Sequence, residues 1–154
     1  MLLQKLSFFT LLILFALIFI GGYVGSSGAG LSCPEWPLCP AGLIPMTEFL
    51  IEYFHRTVAA TTGIMVFVTM FFTLRSKETS RSTKIASMIA AALVVGQITL
   101  GAIVIVEKLH ALLVTIHLGM GLILFIMVLT VFLDVRNISK KISPNKLRMI
   151  NHSE

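Results

Sequence analysis

Residues 111–133 read ALLVTIHLGMGLILFIMVLTVFL, an apolar run that contains no charged residue. This is the length that an α-helix needs to cross the hydrocarbon core of a bilayer. Three other apolar stretches, Leu6–Val24, Ile51–Leu74 and Ile85–Val106, have a similar length. The sequence therefore predicts an all-α membrane protein that folds as a four-transmembrane-helix bundle, with its fourth helix over Ala111–Leu133.

The composition agrees with this prediction and excludes a water-soluble globular protein. Hydrophobic residues make up 56% of the 154 residues, charged residues make up 12%, and the mean hydropathy is +0.96. A soluble domain carries about twice that fraction of charged residues. We expect a single four-helix domain over residues 1–154, with a loop at about 25–50 and a basic tail at about 134–154.

Lysine and arginine residues are distributed unevenly between the two ends of the predicted bundle. Arg56 and Lys108 fall at one end, and the other ten fall at the opposite end. Those ten are Lys5, Arg75, Lys77, Arg81, Lys84, Arg136, Lys140, Lys141, Lys146 and Arg148. Because positively charged segments stay in the cytoplasm, we expect both termini to be cytoplasmic and the 25–50 loop to be extracytoplasmic. The basic tail is expected to contact anionic membrane lipid, and binding to nucleic acid is not expected.

Two histidines lie inside apolar stretches that are predicted to span the membrane. His55 lies four residues into the second stretch and His117 six residues into the fourth, which places them about 6 Å and about 9 Å below the helix starts. An imidazole in hydrocarbon is costly without a partner. Two imidazoles at one level indicate axial ligands to a metal, most naturally a haem iron. The alternative is that each histidine is hydrogen-bonded to a neighbouring helix.

Glu52 and Gln97 are further polar residues within the predicted helices. Glu52 lies one turn before His55, on the same helix face. It is either a proton acceptor beside the site or an interfacial acid paired with Arg56 or Lys108. Gln97 is typical of a polar contact between helices.

Small residues follow both histidines along the same helix faces. They are Ala59 and Gly63 after His55, and Gly121 after His117. They leave room for a flat macrocycle, but the same spacing is typical of close helix packing. We favour helix packing as the reason for the glycines.

Both cysteines, Cys33 and Cys39, fall in the predicted outward loop, within the stretch CPEWPLC. An oxidising compartment permits a disulfide bond there. We expect the two cysteines to be bonded to each other, and the alternative is two unpaired thiols.

Three segments of the sequence closely resemble the haem A synthase family. GGYVGSSGAGLSCPEWPLCPAGLIP, followed by IEYFHRTVAATTG, is similar to that family's first extracellular loop and second helix. GQITLGAIVIVEKLHALLVTIHLGMGL looks like its third and fourth helices, with His117 at the ligand position. The resemblance covers about residues 20–130.

The resemblance implies oxidation of the C8 methyl group of haem O to the formyl group of haem A, for a terminal oxidase. It implies His55 and His117 as ligands of a haem, either haem b or the substrate haem O, with Arg56 as a further haem-binding residue. Glu52 would be the essential acid, and Cys33 with Cys39 a redox-active or structural pair. Haem O synthase is an implied partner.

Members of this family commonly have eight helices in two similar halves, whereas this sequence resembles one half. We therefore expect a homo-oligomer, a dimer or a trimer, that brings two such units together. The small residues of the third stretch would offer a surface for this association. They are Ala86, Ala90, Ala91, Gly96 and Gly101.

Two other functions stay open at this point. One is a membrane b-type cytochrome or haem carrier that uses the same histidines without catalysis. The other is a thiol–disulfide oxidoreductase that passes electrons from the outward cysteines to quinone. Such a relay normally needs two cysteine pairs, and this sequence has one.

Overall fold

The computed structural model describes residues 2–33 and 49–151, with side chains as far as Lys141. Four long α-helices account for most of this part of the chain, and it contains no β-strand. Their bounds are α1 Leu2–Ser26, α2 Leu50–Arg75, α3 Arg81–Val106 and α4 Ala111–Asn151. Each is long and apolar enough to cross a membrane, α4 over Ala111–Lys141. The protein is an all-α, multi-pass membrane protein, as predicted.

The four helices form a closed ring. α1 packs against α2 and α4, and α3 packs against the same two helices. The connections over residues 76–80 and 107–110 are short, so consecutive helices run antiparallel. As a result α2 and α4, the two helices that carry His55 and His117, lie diagonally across the bundle.

The helices extend beyond the apolar stretches that predict them. α3 begins at Arg81, four residues before Ile85, because the Ser80 hydroxyl accepts a hydrogen bond of 3.1 Å from the Thr83 N–H. α4 continues through the segment predicted as a separate tail and ends at Asn151. Hydropathy reports the part of a helix that lies in lipid, whereas capping and local propensity determine where the helix ends.

The densest packing lies in the half of the bundle away from the histidines. The buried cluster joins all four helices through small and branched side chains: Leu14, Val66, Ala90, Ala91, Val94, Leu124 and Val128. Large apolar side chains such as Phe19, Phe67 and Ile126 point outward, as expected where the surrounding solvent is lipid.

The expectation that the alanines of α3 serve self-association is corrected by this packing. Ala86, Ala90 and Ala91 are 8%, 3% and 5% exposed within a single chain. They bring α3 close to its neighbours inside the bundle. An association surface must therefore use other residues.

Two polar contacts cross between helices within this packed half. The hydroxyls of Thr10 in α1 and Thr69 in α2 share a hydrogen bond of 2.9 Å. The Thr83 hydroxyl in α3 donates to a carboxylate oxygen of Asp134 in α4, also at 2.9 Å. Such bonds stabilise helix pairs in lipid, where water cannot compete for them.

The opposite end of the bundle, formed by residues 26–33, 49–50 and 106–111, is called here the Cys33 end. After α1, Gly28 adopts a positive φ of 76° and leads into one turn of 3-10 helix at Ala29–Leu31. The α3–α4 turn meets this segment, since a Cβ on Gly30 would lie 3.2 Å from both Cδ atoms of Leu109. This packing closes α1 against the α3–α4 turn just beyond the histidines.

Candidate functional site

The two helices bring His55 and His117 to nearly the same depth. α2 begins at Leu50, so His55 lies five residues below the Cys33 end, and His117 lies six residues into α4. At the helical rise these positions are about 7.5 Å and about 9 Å deep. Both side chains are half-buried and their Nδ1 atoms are buried, and the two rings are close enough to interact electrostatically. Their role as a pair of ligands stays a prediction.

Each imidazole packs against a glycine of a helix that carries neither histidine. A Cβ on Gly21 of α1 would lie 3.1 Å from Cε1 of His55. A Cβ on Gly101 of α3 would lie 3.4 Å from Cε1 of His117. The two glycines thus allow the rings to lie directly against the neighbouring backbones.

The hydrogen-bonding state of these rings bears on their role. The Nδ1 atoms of His55 and His117 are both buried, and within the described part of the chain neither has a hydrogen-bond partner. An unpartnered buried nitrogen costs free energy. The alternative in which each histidine is satisfied by a neighbouring helix is therefore not seen at these atoms.

The donor set fits a haem better than a bare metal ion. Among the residues that the structure describes, no cluster of three or more His, Cys, Asp or Glu side chains could hold a metal ion. A haem iron needs only axial ligands from the protein, because the porphyrin supplies the others. Two imidazoles from diagonal helices meet that requirement.

Glu52 connects the start of α2 to the segment that precedes the cysteine loop. It is 1% exposed, and its Oε2 accepts hydrogen bonds from the Cys33 N–H at 2.8 Å and the Ser32 hydroxyl at 3.2 Å. Its Oε1 forms an ion pair with Arg56. The sequence leaves Arg56 and Lys108 as possible partners of Glu52, and in the structure the partner is Arg56.

Arg56 completes this connection. Its Nη2 donates to the carbonyl oxygen of Cys33 at 2.8 Å as well as to Glu52. Glu52 and Arg56, one turn apart on α2, therefore hold both the N–H and the carbonyl of Cys33. We call this arrangement the Glu52–Arg56 clamp. Sequence reasoning missed its attachment to the loop backbone, because a carboxylate–backbone contact leaves no spacing pattern.

Only one of the two cysteines lies within the residues that the structure describes. Cys33 is fully buried, and its Sγ lies 3.9 Å from the carbonyl oxygen of Phe49. Cys39 lies outside the described residues. The bond between the two cysteines therefore stays a prediction.

Gln97 and the glycines behave as the packing interpretation predicts. The Gln97 side-chain amide donates a hydrogen bond of 2.8 Å to the carbonyl oxygen of His117 and so joins α3 to α4. A Cβ on Gly63 of α2 would lie 3.4 Å from Cγ1 of Val94 in α3. The contacts of Gly21 and Gly101 with the imidazoles escaped sequence reasoning, because the rotation of α1 and α3 about their axes is not visible in their uniformly apolar sequences.

Comparison with known proteins places the chain in a family. Residues 4–50 and 45–152 match the cytochrome oxidase assembly protein family (COX15-CtaA). The haem A synthase of Bacillus licheniformis is 34% identical over 129 residues, which cover 82% of this chain and 42% of that protein. The haem A synthase of Geobacillus kaustophilus is 33% identical over 144 residues, 91% of this chain and 45% of that protein.

A third relative gives the same extent of match. The haem A synthase of Exiguobacterium sibiricum is 30% identical over 143 residues, 87% of this chain and 48% of that protein. The chain thus spans about half the length of the curated relatives that it matches. Since the family match extends over nearly the whole sequence, the chain belongs to the cytochrome oxidase assembly protein family, together with these haem A synthases.

Proposed function

We propose that this chain forms a haem A synthase unit, which oxidises the C8 methyl group of haem O to the formyl group of haem A. The observation that carries the proposal is the pair of buried imidazoles, His55 and His117, at matched depth on diagonal helices. Membership of the family supports it. The single outward cysteine pair argues against the thiol–disulfide relay.

His55 and His117 would hold the haem iron, and Gly21 and Gly101 set where the rings lie. Arg56, next to His55 and near the Cys33 end, adds positive charge that suits a haem propionate. A bound haem, either haem b or the substrate haem O, would supply the redox chemistry of the iron.

Glu52 has two tasks in this proposal. Converting a methyl group to a formyl group with water as the oxygen source passes electrons to an external acceptor and releases protons, and a carboxylate one turn from His55 is suitably placed to accept those protons. The same carboxylate holds Cys33 through the Glu52–Arg56 clamp. Cys33 and Cys39 form a bonded pair in this proposal.

We propose an orientation of the protein from its charge distribution. Both termini lie in the cytoplasm and the loop lies outside the cell membrane. Two or more copies associate, so that two four-helix units act together. Haem O synthase delivers the substrate.

The first experiment tests the histidines in purified full-length protein. We expect a low-spin, six-coordinate haem spectrum, because two neutral imidazoles fill both axial positions. His55→Ala and His117→Ala should each abolish or greatly reduce that species. His110→Ala is the matched control, since His110 is exposed. If both buried-histidine variants keep the wild-type spectrum, the ligand assignment is wrong.

Extraction of the pigment after turnover then separates the synthase from a cytochrome or carrier. The synthase converts added haem O to a formyl-containing haem, whereas a carrier returns haem O unchanged. A protein with the expected spectrum and no product would be a haem-binding protein rather than a synthase.

A further inference from the structure

The backbone carbonyl of His117 has an unusual second partner. In an α-helix this carbonyl accepts a hydrogen bond from the N–H four residues later, at Gly121. Here it also accepts one from Nε2 of Gln97, which lies on α3. The length of 2.8 Å is typical of a well-formed bond. A side chain of α3 is therefore attached to the backbone of the residue whose imidazole enters the site.

Gly121 makes this attachment possible. A side chain on a helix lies over the preceding turn, so a side chain at position 121 would lie over the His117 carbonyl. A Cβ there would be only 3.3 Å from Nε2 of Gln97, which is closer than ordinary contact. The glycine leaves the carbonyl open to the amide.

The same face of α3 also contacts the imidazole. Gly101 lies one turn from Gln97, and its Cβ position is 3.4 Å from Cε1 of His117. α3 thus contacts His117 at two points, through Gln97 at the backbone and through Gly101 at the ring. Two contacts, one turn apart, resist both rotation of α4 about its axis and sliding along it.

We infer that Gln97 is a positioning residue for His117, whose amide, placed in the space left by Gly121, fixes the direction from which that imidazole meets a haem. The inference rests on the proposed role of His117 as a haem ligand. Gln97 itself does not contact the ring nitrogens. It acts through the backbone of α4.

The experiment uses two variants that disturb the bond by different routes. Gln97→Met removes the donor at nearly constant volume, and Gly121→Ala displaces the amide by a few tenths of an ångström. Purified full-length protein is loaded with haemin, and the ferric low-spin signal is recorded by electron paramagnetic resonance, which reports the orientation of the axial imidazoles. The transfer of haem to apomyoglobin gives the rate of haem loss.

We expect both variants to shift the low-spin g values in the same direction. Haem loss should accelerate about threefold to tenfold, the effect of one interhelical hydrogen bond within a membrane. Thr99→Val and Gly119→Ala are the matched controls. Thr99 is exposed on α3, and among the described residues it bonds only within its own helix, and a Cβ on Gly119 meets nothing within 4 Å. Both controls should keep the wild-type signal.

The possible results separate this inference from the proposed function. If wild-type protein gives no bis-imidazole signal with haemin, the haem-ligand role of His117 fails. If wild type gives that signal and both variants reproduce it unchanged, the positioning role is overturned. The positioning role is also overturned if the variants lose thermal stability while the haem that they bind keeps wild-type g values, since Gln97 would then act only in packing.

Discussion

Glu52 shows at the level of one residue how an acid beside a functional site can also be part of the scaffold. Its two oxygens accept from three donors, the Cys33 N–H, the Ser32 hydroxyl and the Arg56 guanidinium. Removing one partner of a buried ion pair is strongly destabilising. An alanine variant therefore cannot separate a chemical role of Glu52 from a structural one.

Glu52→Gln separates proton transfer from the attachment of Cys33. Glutamine keeps an oxygen that accepts from the Cys33 N–H, but it does not take up a proton and it lacks the charge that pairs with Arg56. If Glu52 transfers protons, Glu52→Gln should retain haem while the formyl product falls by about 10²-fold or more. Glu52→Ala should lose both the product and the attachment of Cys33. Product is measured by pigment extraction, and an unimpaired Glu52→Gln protein would leave Glu52 with the clamp alone.

Gly21 offers a residue-scale test of the position of His55. A methyl group at position 21 would lie 3.1 Å from Cε1 of His55, so the ring must move by a few tenths of an ångström. Because overpacking typically costs about 1–3 kcal/mol, Gly21→Ala should weaken haem retention about fivefold or more. Gly22→Ala is the adjacent control, since nothing lies within 4 Å of that Cβ. Equal haem retention in the two variants would contradict the contact between α1 and His55.

The helices themselves illustrate what the sequence does and does not reveal. Their number, order and approximate centres follow from hydropathy, because a spanning segment must be apolar over a fixed length. The depths of His55 and His117 follow from their distance from the helix starts and the rise per residue of an α-helix. The face of each helix does not follow, since lipid-facing and core-facing residues are both apolar. The sequence therefore predicts that the alanines of α3 lie on an outer surface, whereas the structure buries them.

The sequence does not reveal the contacts between helices either. Gln97 was expected to join helices, but its partner, the His117 carbonyl, is a backbone atom common to every residue. The Glu52–Arg56 clamp depends on how the chain folds back after α1. Such features arise from tertiary packing and have no local sequence period.

The hydrogen bond between Thr10 and Thr69 gives a prediction at the level of helix pairs. This bond is buried, and it joins a side chain of α1 to a side chain of α2. A double-mutant cycle with Thr10→Val and Thr69→Val should give a coupling energy of about 0.6 kcal/mol, with about 1.7 kcal/mol as the upper limit. Unfolding in mixed detergent micelles measures it. Thr61→Val is a control, because Thr61 is exposed and bonds within its own helix. A coupling of zero would mean that the bond does not stabilise the α1–α2 pair.

At the scale of the whole molecule, the bundle divides into two functional halves. The half near Lys5 contains the dense apolar cluster and the two threonine contacts between helices. The half near Cys33 contains the paired imidazoles, the glycines beside them and the clamp. A well-packed half thus holds the four helices at fixed spacing while the other half keeps polar groups at the level of the site.

Self-association is the prediction that belongs to this scale. The chain spans 42–48% of the length of the three haem A synthases compared above, and we expect two copies of the chain to act together. The interface should use the outward faces, because Ala86, Ala90 and Ala91 are already buried. Native mass spectrometry in mild detergent should detect at least a dimer. His117→Ala should associate equally well, since its side chain faces the interior. A strictly monomeric preparation with full activity would overturn the proposal.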